Sequence, residues 1–408
     1  MTAIQVAIDS IAAGGDGVGR ADGMVVFIPR SAPGDVVTAA LAGKKRFARG
    51  RILRIDTPST DRVEPPCPHY VVDRCGGCQL QHLAYPAQLR AKSTIIRDGL
   101  TRIARRVADP PSVEASPSQW RYRTKLTLAM RNRPGGWVMG LHPFDDAAEV
   151  FHLNDCLITD ERVVAVWRSI ASVAGLLPHE AERGSVRVTR DDLVTVVIEG
   201  GRQWRDATRF FDALPAIDSL WWKPEHRARE MIAIRHDAAA SASFAQVNRD
   251  MAAILHAYVL ERVHSHAPAT VIDAYAGGGA TAVPLAFAGI TVTAIELDRY
   301  AVEACAARLP AGSRALSGRV EALLPAALPA DVIILNPPRT GLADAIPAVL
   351  ESTIPRPRAV IYVSCNAATL GRDLARMPSY RVATVRGFDM FPQTAHVETI
   401  CELVPAPA

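Results

Sequence analysis

Apolar and polar positions keep three different rhythms along this chain. From residue 1 to about 60, short apolar runs (IQVAID, MVVFIP, GRILRI) are broken by GGDGVGRADG and SAPGDVV. Brief runs between glycine turns predict a small all-β barrel. TPSTDRVEPPC (57–67) reads as a proline-rich junction, and YPAQLRAKSTIIRDGLTRIARR (85–106) then takes up helical periodicity. From about 119 to 235, strand-like runs such as YRTKLTLAM, GSVRVT and LVTVVIEG surround a helix near 161–176, which predicts a mixed α/β domain. From about 244 onward strand and helix alternate regularly, the pattern of a doubly wound sheet. The expected division is 1–60 for the barrel, 61–243 for a central α/β domain and 244–408 for the last.

Composition narrows the class. At 408 residues and 49% hydrophobic, the chain is globular and long enough for two or three cores. VIDAYAGGGATAVPLAFAGITVTAI (271–295) is apolar, but Asp273, three glycines and Pro284 interrupt it, so it reads as strand, loop, helix and strand rather than a membrane span. The start, MTAIQVAIDSIAAGG, lacks the basic and apolar regions of a secretory signal. A cytoplasmic location is expected, and disulfides do not explain the thiols. The net charge of +4 permits a polyanionic partner without requiring one. Locally, KKRFARGRILR (44–54) holds six basic residues, one aromatic and no acid. Lys44, Lys45 and Arg46 begin a candidate track for a phosphate backbone, against the plainer alternative of a solvated strand face. The helix at 85–106 carries six Arg or Lys against one Asp and is expected to form a second basic surface.

Three of the seven cysteines fall within CPHYVVDRCGGC (67–78). Thiols at C-x7-C-x2-C spacing can bind zinc, hold an iron-sulfur cluster or form a redox pair, and the first two need a fourth ligand.

In VIDAYAGGGATAVPLA a strand runs through Tyr275 into Gly277, Gly278 and Gly279, and a helix follows. Such a loop lets a nucleotide cofactor approach the backbone. Glu296, nineteen residues beyond Gly277 at the end of the next strand, can accept hydrogen bonds from ribose hydroxyls, which fits NAD and S-adenosylmethionine alike. DVIILNPPRTGL then ends a strand in Asn336-Pro337-Pro338-Arg339, a rigid loop that suggests a methyltransferase acting on a planar base. AVIYVSCNAATLGRD delivers Cys365 to the same sheet edge, and FDMFPQTAHVETICELV places Glu398 in a terminal strand.

Taken together these motifs resemble the bacterial RNA 5-methyluridine methyltransferases that carry a TRAM domain and an iron-sulfur cluster and act on 23S ribosomal RNA. The resemblance covers nearly the whole chain: GGDGVGRADGMVVFIPRSAPGDVV looks like a TRAM barrel, and YRTKLTL, SFAQVN, NPPR, VSCNAATLGRD and FPQTAHVE follow in family order. It implies a TRAM barrel, a central cluster-bearing domain and a Rossmann-like methyltransferase domain. It makes Cys156 in FHLNDCLI the fourth ligand of a 4Fe-4S cluster beside Cys67, Cys75 and Cys78. Cys365 becomes the nucleophile that adds to uracil C6, which activates C5, and Glu398 the base that removes the C5 proton afterwards. Gln246 reads the uracil edge or positions the methionine part, Phe244 is a stacking neighbour, and Tyr275, Gly277, Gly279, Glu296 and Asn336 hold S-adenosylmethionine. RNA is the implied partner, with no membrane and no obligate protein partner.

Several positions depart from the family pattern. The first cysteine spacing is longer, Asn336 replaces the usual Asp, and Ala276 and Ala280 replace commoner residues in the glycine loop. Cys305 and Cys401 are expected to pack in cores, His69 and His82 to lie at the surface, and His396 to approach the RNA or base. Transfer RNA is the alternative substrate. An adenine N6-methyltransferase would have no use for Cys365, a cytosine enzyme would show Pro-Cys, and an RNA-folding factor would need neither thiol nor base.

Overall fold

A computed structural model describes residues 3–42, 47–106, 109–189, 191–235 and 246–407. The expected barrel is present. Strands β1 (Ala3–Ile11), β2 (Gly17–Ala21), β3 (Met24–Ile28), β4 (Val36–Ala42) and β5 (Phe47–Thr57) close in the order β1-β2-β3-β5-β4. Alternation along β5 explains its two faces: Ala48 and Gly50 point inward while Phe47, Arg49, Arg51 and Leu53 stay exposed. Gly50 must lack a side chain, because a Cβ there would sit 2.8 Å from Ile28.

Next come the helix Tyr85–Asp98, extended by a π turn Gly99–Ile103, and a two-residue strand β6 (Val113–Glu114). Of the cations expected to form a second basic surface on 85–106, Lys92 and Arg106 turn inward while Arg90, Arg102 and Arg105 stay exposed. Lys92 is fully buried against Asp389, Arg106 donates to the carbonyls of Tyr380, Leu374 and Met377, Arg90 pairs with Asp61, and Arg97 and Arg102 pair with Asp98. Periodicity and charge identify the helix but not that two of its cations, Lys92 and Arg106, dock it against the C-terminal domain.

The central sheet joins β7 (Lys125–Arg133), β8 (Gly136–Leu141), β9 (Phe151–His152), β10 (Ala181–Val188), β11 (Val194–Gly200), β12 (Ser219–Lys223) and β13 (Glu230–Ile234) in the order β13-β12-β11-β10-β7-β8-β9. The amphipathic helix Glu161–Ser172 packs Val163, Val166, Trp167 and Ile170 onto it.

The C-terminal sheet contains β14 (Thr270–Ala274), β15 (Thr291–Glu296), β16 (Arg314–Ser317), β17 (Val332–Leu335), β18 (Ala359–Ser364), β19 (Tyr380–Phe388) and β20 (Glu398–Pro405). Its order is β16-β15-β14-β17-β18-β20-β19-β6, with β14 to β18 parallel and β20 antiparallel to β18. Strand β6, from the segment before the central sheet, adds itself at the edge beside β19. The parallel strands read as continuous apolar runs because helices cover both faces. Cys305 and Cys401 are buried in this domain's cores, as expected. No helix among the described residues is long and apolar enough to cross a membrane.

Candidate active site

The carboxyl edge of the parallel strands assembles the candidate residues. β14 ends at Ala274, and Tyr275 (φ +65°), Gly277 (φ +54°) and Gly279 (φ +83°) turn the chain. Gly279 is required by packing as well as by φ, since a Cβ would meet the Cys305 sulfur at 2.6 Å. At Gly277 a Cβ would meet nothing within 4 Å, so the backbone there faces open space. The Glu296 carboxylate is fixed beside it: Oε2 accepts from Gly277 N–H (2.9 Å), and Oε1 from the N–H groups of Leu297 (2.7 Å) and Asp298 (2.8 Å). Leu297 and Tyr300, which carried no signal as single residues, lie exposed next to it. A hydroxyl-accepting carboxylate, open glycine backbone and exposed apolar side chains form a donor set that fits a ribonucleoside. Asn336 leaves β17 exposed, its N–H bonded to Ala274 O (3.2 Å), and Gln246 lies half-buried two residues before the cap Asn248.

Register places the reactive pair. Ser364 pairs with Thr399 across β18 and β20, so Cys365 leaves β18 opposite Glu398, the first residue of β20. Ser364 and Asn366 make the turn that presents the thiol: the Ser364 hydroxyl donates to Asn366 O (3.1 Å), and Asn366 Oδ1 accepts from Ala368 N–H (2.9 Å) to cap the helix Ala367–Ala375. That helix start favours a thiolate. Burial first and Glu398 second push the Cys365 thiol above its ordinary 9.0, while Arg339 pulls it down. Burial raises Glu398 to about 7, with Arg339 opposing. Arg339 thus lies near enough for its charge to be felt by both members of the pair, a placement that only the third dimension reveals. Its loop is pinned by Gly341 N–H to Pro338 O (2.8 Å) and Leu342 N–H to Asp373 (2.8 Å).

A sign follows for stability. Glu398 titrates near 4.5 when unfolded and near 7 when folded, so between these values the unfolded state releases its proton first. The stability of the wild type relative to Glu398→Gln is expected to fall as pH rises from about 4.5 to 7, then stay level; paired denaturation curves across this range check it.

His396 lies close by, its ring edge-on to Phe391 at 6.0 Å. Burial, then the charges of Arg339, Lys92 and Arg123, push it down to about 4, leaving a neutral imidazole at pH 7. Asp273, noticed in the sequence only as a break in an apolar run, is buried beneath the glycine loop, accepts from Thr281 and is raised by burial to about 6.

The four candidate ligand cysteines share one cavity of about 150 Å³, lined by Cys67, Cys75, Cys78 and Cys156 together with Gln81 and Arg123. Burial raises Cys75 to about 11 and also pushes Cys78 and Cys156 up, and each of the three feels the others or Cys67. Gly77 N–H donates to the Cys75 sulfur (3.4 Å), and the side chains of Gln81 and Thr159 sit against Cys78 and Cys156 and hold back their rise. Among the described residues no three His, Cys, Asp or Glu side chains converge to hold a single metal ion. His69 and His82 are buried rather than at the surface. His69 Nε2 accepts from Asn154 N–H (3.2 Å), so Nδ1 carries the proton given to Asp73 (2.7 Å); His82 sits between the Tyr70 hydroxyl (2.8 Å) and Ser31 O (3.2 Å). Both are hydrogen-bonded struts. Lys44, Lys45, Arg46 and Phe244 lie outside the described residues.

This sheet edge, with its glycine turn beside Glu296 and with Cys365 in register opposite Glu398, is compatible with a methyltransferase. Relatives agree at full length: uncharacterized RNA methyltransferases of Halalkalibacterium halodurans (31% identity) and Gloeobacter violaceus (34%) each cover 98% of this chain and 96% of their own. The family model for tRNA (uracil-5-)-methyltransferase matches residues 318–404, which contain Arg339, Cys365 and Glu398. The chain belongs to the RNA (uracil-5-)-methyltransferase family. Its fold is that of the Pyrococcus abyssi tRNA (uracil-54, C5)-methyltransferase crystallised with S-adenosyl-L-homocysteine, at TM-score 0.71 and 22% identity over 98% of this chain and 99% of that one.

Proposed function

We propose that this enzyme methylates C5 of one uridine in RNA, with 23S ribosomal RNA as substrate, through a covalent bond between Cys365 and uracil C6. The observation that carries this reading is the register that sets Cys365 opposite Glu398. Uracil C5 is a poor nucleophile until a thiolate adds to C6 and makes it enolate-like. Arg339 and the helix start at Ala367 favour that thiolate. Bound S-adenosylmethionine supplies the electrophilic methyl group. Glu398, raised to about 7, is partly ionised at neutral pH and able to take the C5 proton, after which the thiolate leaves and the double bond returns. Tyr275, Gly277, Gly279 and Glu296 hold the nucleoside part of the cofactor, and Gln246 and Asn336 its remainder or the uracil edge. Asn336 retains a carbonyl acceptor without the charge of an aspartate. RNA containing 5-fluorouridine tests the mechanism: fluorine cannot leave as a proton, so a denaturation-resistant, methylated protein–RNA complex is expected, and the absence of any complex would contradict the reading. A tRNA substrate is the second reading, favoured by the matched family model and by the fold neighbour. The barrel is read as a TRAM domain and the location as cytoplasmic.

Cys67, Cys75, Cys78 and Cys156 would hold a 4Fe-4S cluster. The four thiols line one cavity of about 150 Å³, and four cysteine thiolates are the usual ligand set of such a cluster. Anaerobically prepared protein is expected to be brown, with about four irons per chain; stoichiometric zinc without iron would contradict this.

RNA binding is assigned to the outer face of β5. Replacing Arg49 and Arg51 with alanine is expected to weaken RNA affinity and lower the slope of log K against log salt by about 1.5, leaving cofactor affinity unchanged. An unchanged slope would return these residues to the role of solvated charges.

A further inference from the structure

Four consecutive backbone carbonyls just ahead of Glu398 are each held by a different part of the chain. Met390 O accepts from Asn248 Nδ2 (3.3 Å), Phe391 O from Lys92 Nζ (3.1 Å) and Pro392 O from the Tyr122 hydroxyl (2.9 Å). Gln393 O accepts from the N–H groups of Gln79 (3.1 Å) and Leu80 (2.9 Å). Gln393 takes a φ of +70°, uncommon for a residue with a side chain, and is locked to Gln88 in both directions: Gln393 N–H donates to Gln88 Oε1 and Gln88 Nε2 donates to Gln393 Oε1, both at 2.9 Å. Residues 389–397 form neither helix nor strand. A segment without a ladder of its own opens easily unless tied down, yet this one fixes where β20, and therefore Glu398, begins.

We propose that Tyr122, Gln88 and the Gln79–Leu80 backbone are positioning residues for the catalytic base, holding segment 390–393 so that Glu398 meets the C5 proton. The same residues join the base to the thiol-lined cavity. The Tyr122 ring packs in one apolar cluster with Cys67 and Cys78, and Gln79 directly follows Cys78. The walls of the cysteine cavity and the strand start that carries the base are thus one hydrogen-bonded body. The proposal rests on Glu398 as the base, whose work comes after methyl transfer. Loosening the segment is therefore expected to slow elimination selectively, a signature that a general loss of structure does not produce.

The test uses full-length Tyr122→Phe, which removes one hydroxyl and keeps the ring, and Gln88→Leu, which removes both bonds to Gln393. Each is mixed with unmodified RNA and methyl-labelled S-adenosylmethionine, and first-turnover methyl transfer and the lifetime of the denaturation-resistant complex are followed separately. The expected result is methyl transfer within about twofold of wild type and a complex lifetime about tenfold longer, a fraction of what a missing general base costs. A wild-type lifetime in Tyr122→Phe overturns the proposal, as does a parallel fall in both rates. Glu398→Gln run alongside separates the two levels. If it traps the methylated complex and Tyr122→Phe does not prolong it, only the positioning role fails. If Glu398→Gln turns over normally, the base assignment fails and this proposal with it.

Discussion

Cys365→Ala is expected to make neither 5-methyluridine nor a covalent protein–RNA complex, whereas Glu398→Gln should accumulate that complex with the labelled methyl group already in place. The two residues act on opposite sides of methyl transfer. Without the sulfur no C6 adduct forms and C5 stays unreactive, although RNA and cofactor still bind. With glutamine in place of Glu398 the thiolate still adds, but the C5 proton stays and turnover falls by about 10²–10⁴-fold. A denaturing gel of each variant with unmodified RNA and labelled cofactor reads both outcomes. Product from the alanine variant, or normal turnover by the glutamine variant, would show that the nucleophile or the base is misassigned.

Lys92→Met is expected to cost about 3–5 kcal/mol of stability. Lys92 and Asp389 are both fully buried and bonded to each other through Asp389 Oδ1. Burial pushes the Lys92 ammonium down from its ordinary value, and Asp389 opposes that shift. Removing the lysine strands an anion in the core, so the midpoint of urea unfolding should fall sharply. Lys92→Met/Asp389→Leu, which removes both charges and restores apolar volume, should recover most of the loss. A single variant as stable as the wild type would mean that the pair does not hold the helix Tyr85–Asp98 to the C-terminal sheet.

The contrast between these two predictions reflects what a one-dimensional pattern can carry. Cys365 and Glu398 each end or begin a strongly patterned strand, so short-range signals placed both at the sheet edge, and β pairing did the rest. The barrel and the parallel sheet were legible for the same reason: their apolar periods are local. Lys92, by contrast, looks like any cation on a basic helix, and its partner is 297 residues away. The burial of His69 and His82 carries no local signal because it depends on partners such as Asn154 and Ser31 in other segments. Arg339 is visible within NPPR, but its nearness to both reactive groups depends on β17 and β18 being neighbours. Strand β6 is two residues long, too short to carry any period, and joins the C-terminal sheet from the far side of the central one.

The central claim is tested most directly by nucleoside analysis of RNA methylated by the purified enzyme. Unmodified 23S ribosomal RNA and unmodified tRNA are each incubated with methyl-labelled S-adenosylmethionine, digested to nucleosides and separated. Label is expected in 5-methyluridine from the ribosomal RNA. Label in any other nucleoside, or none in 5-methyluridine from either RNA, would contradict the claim.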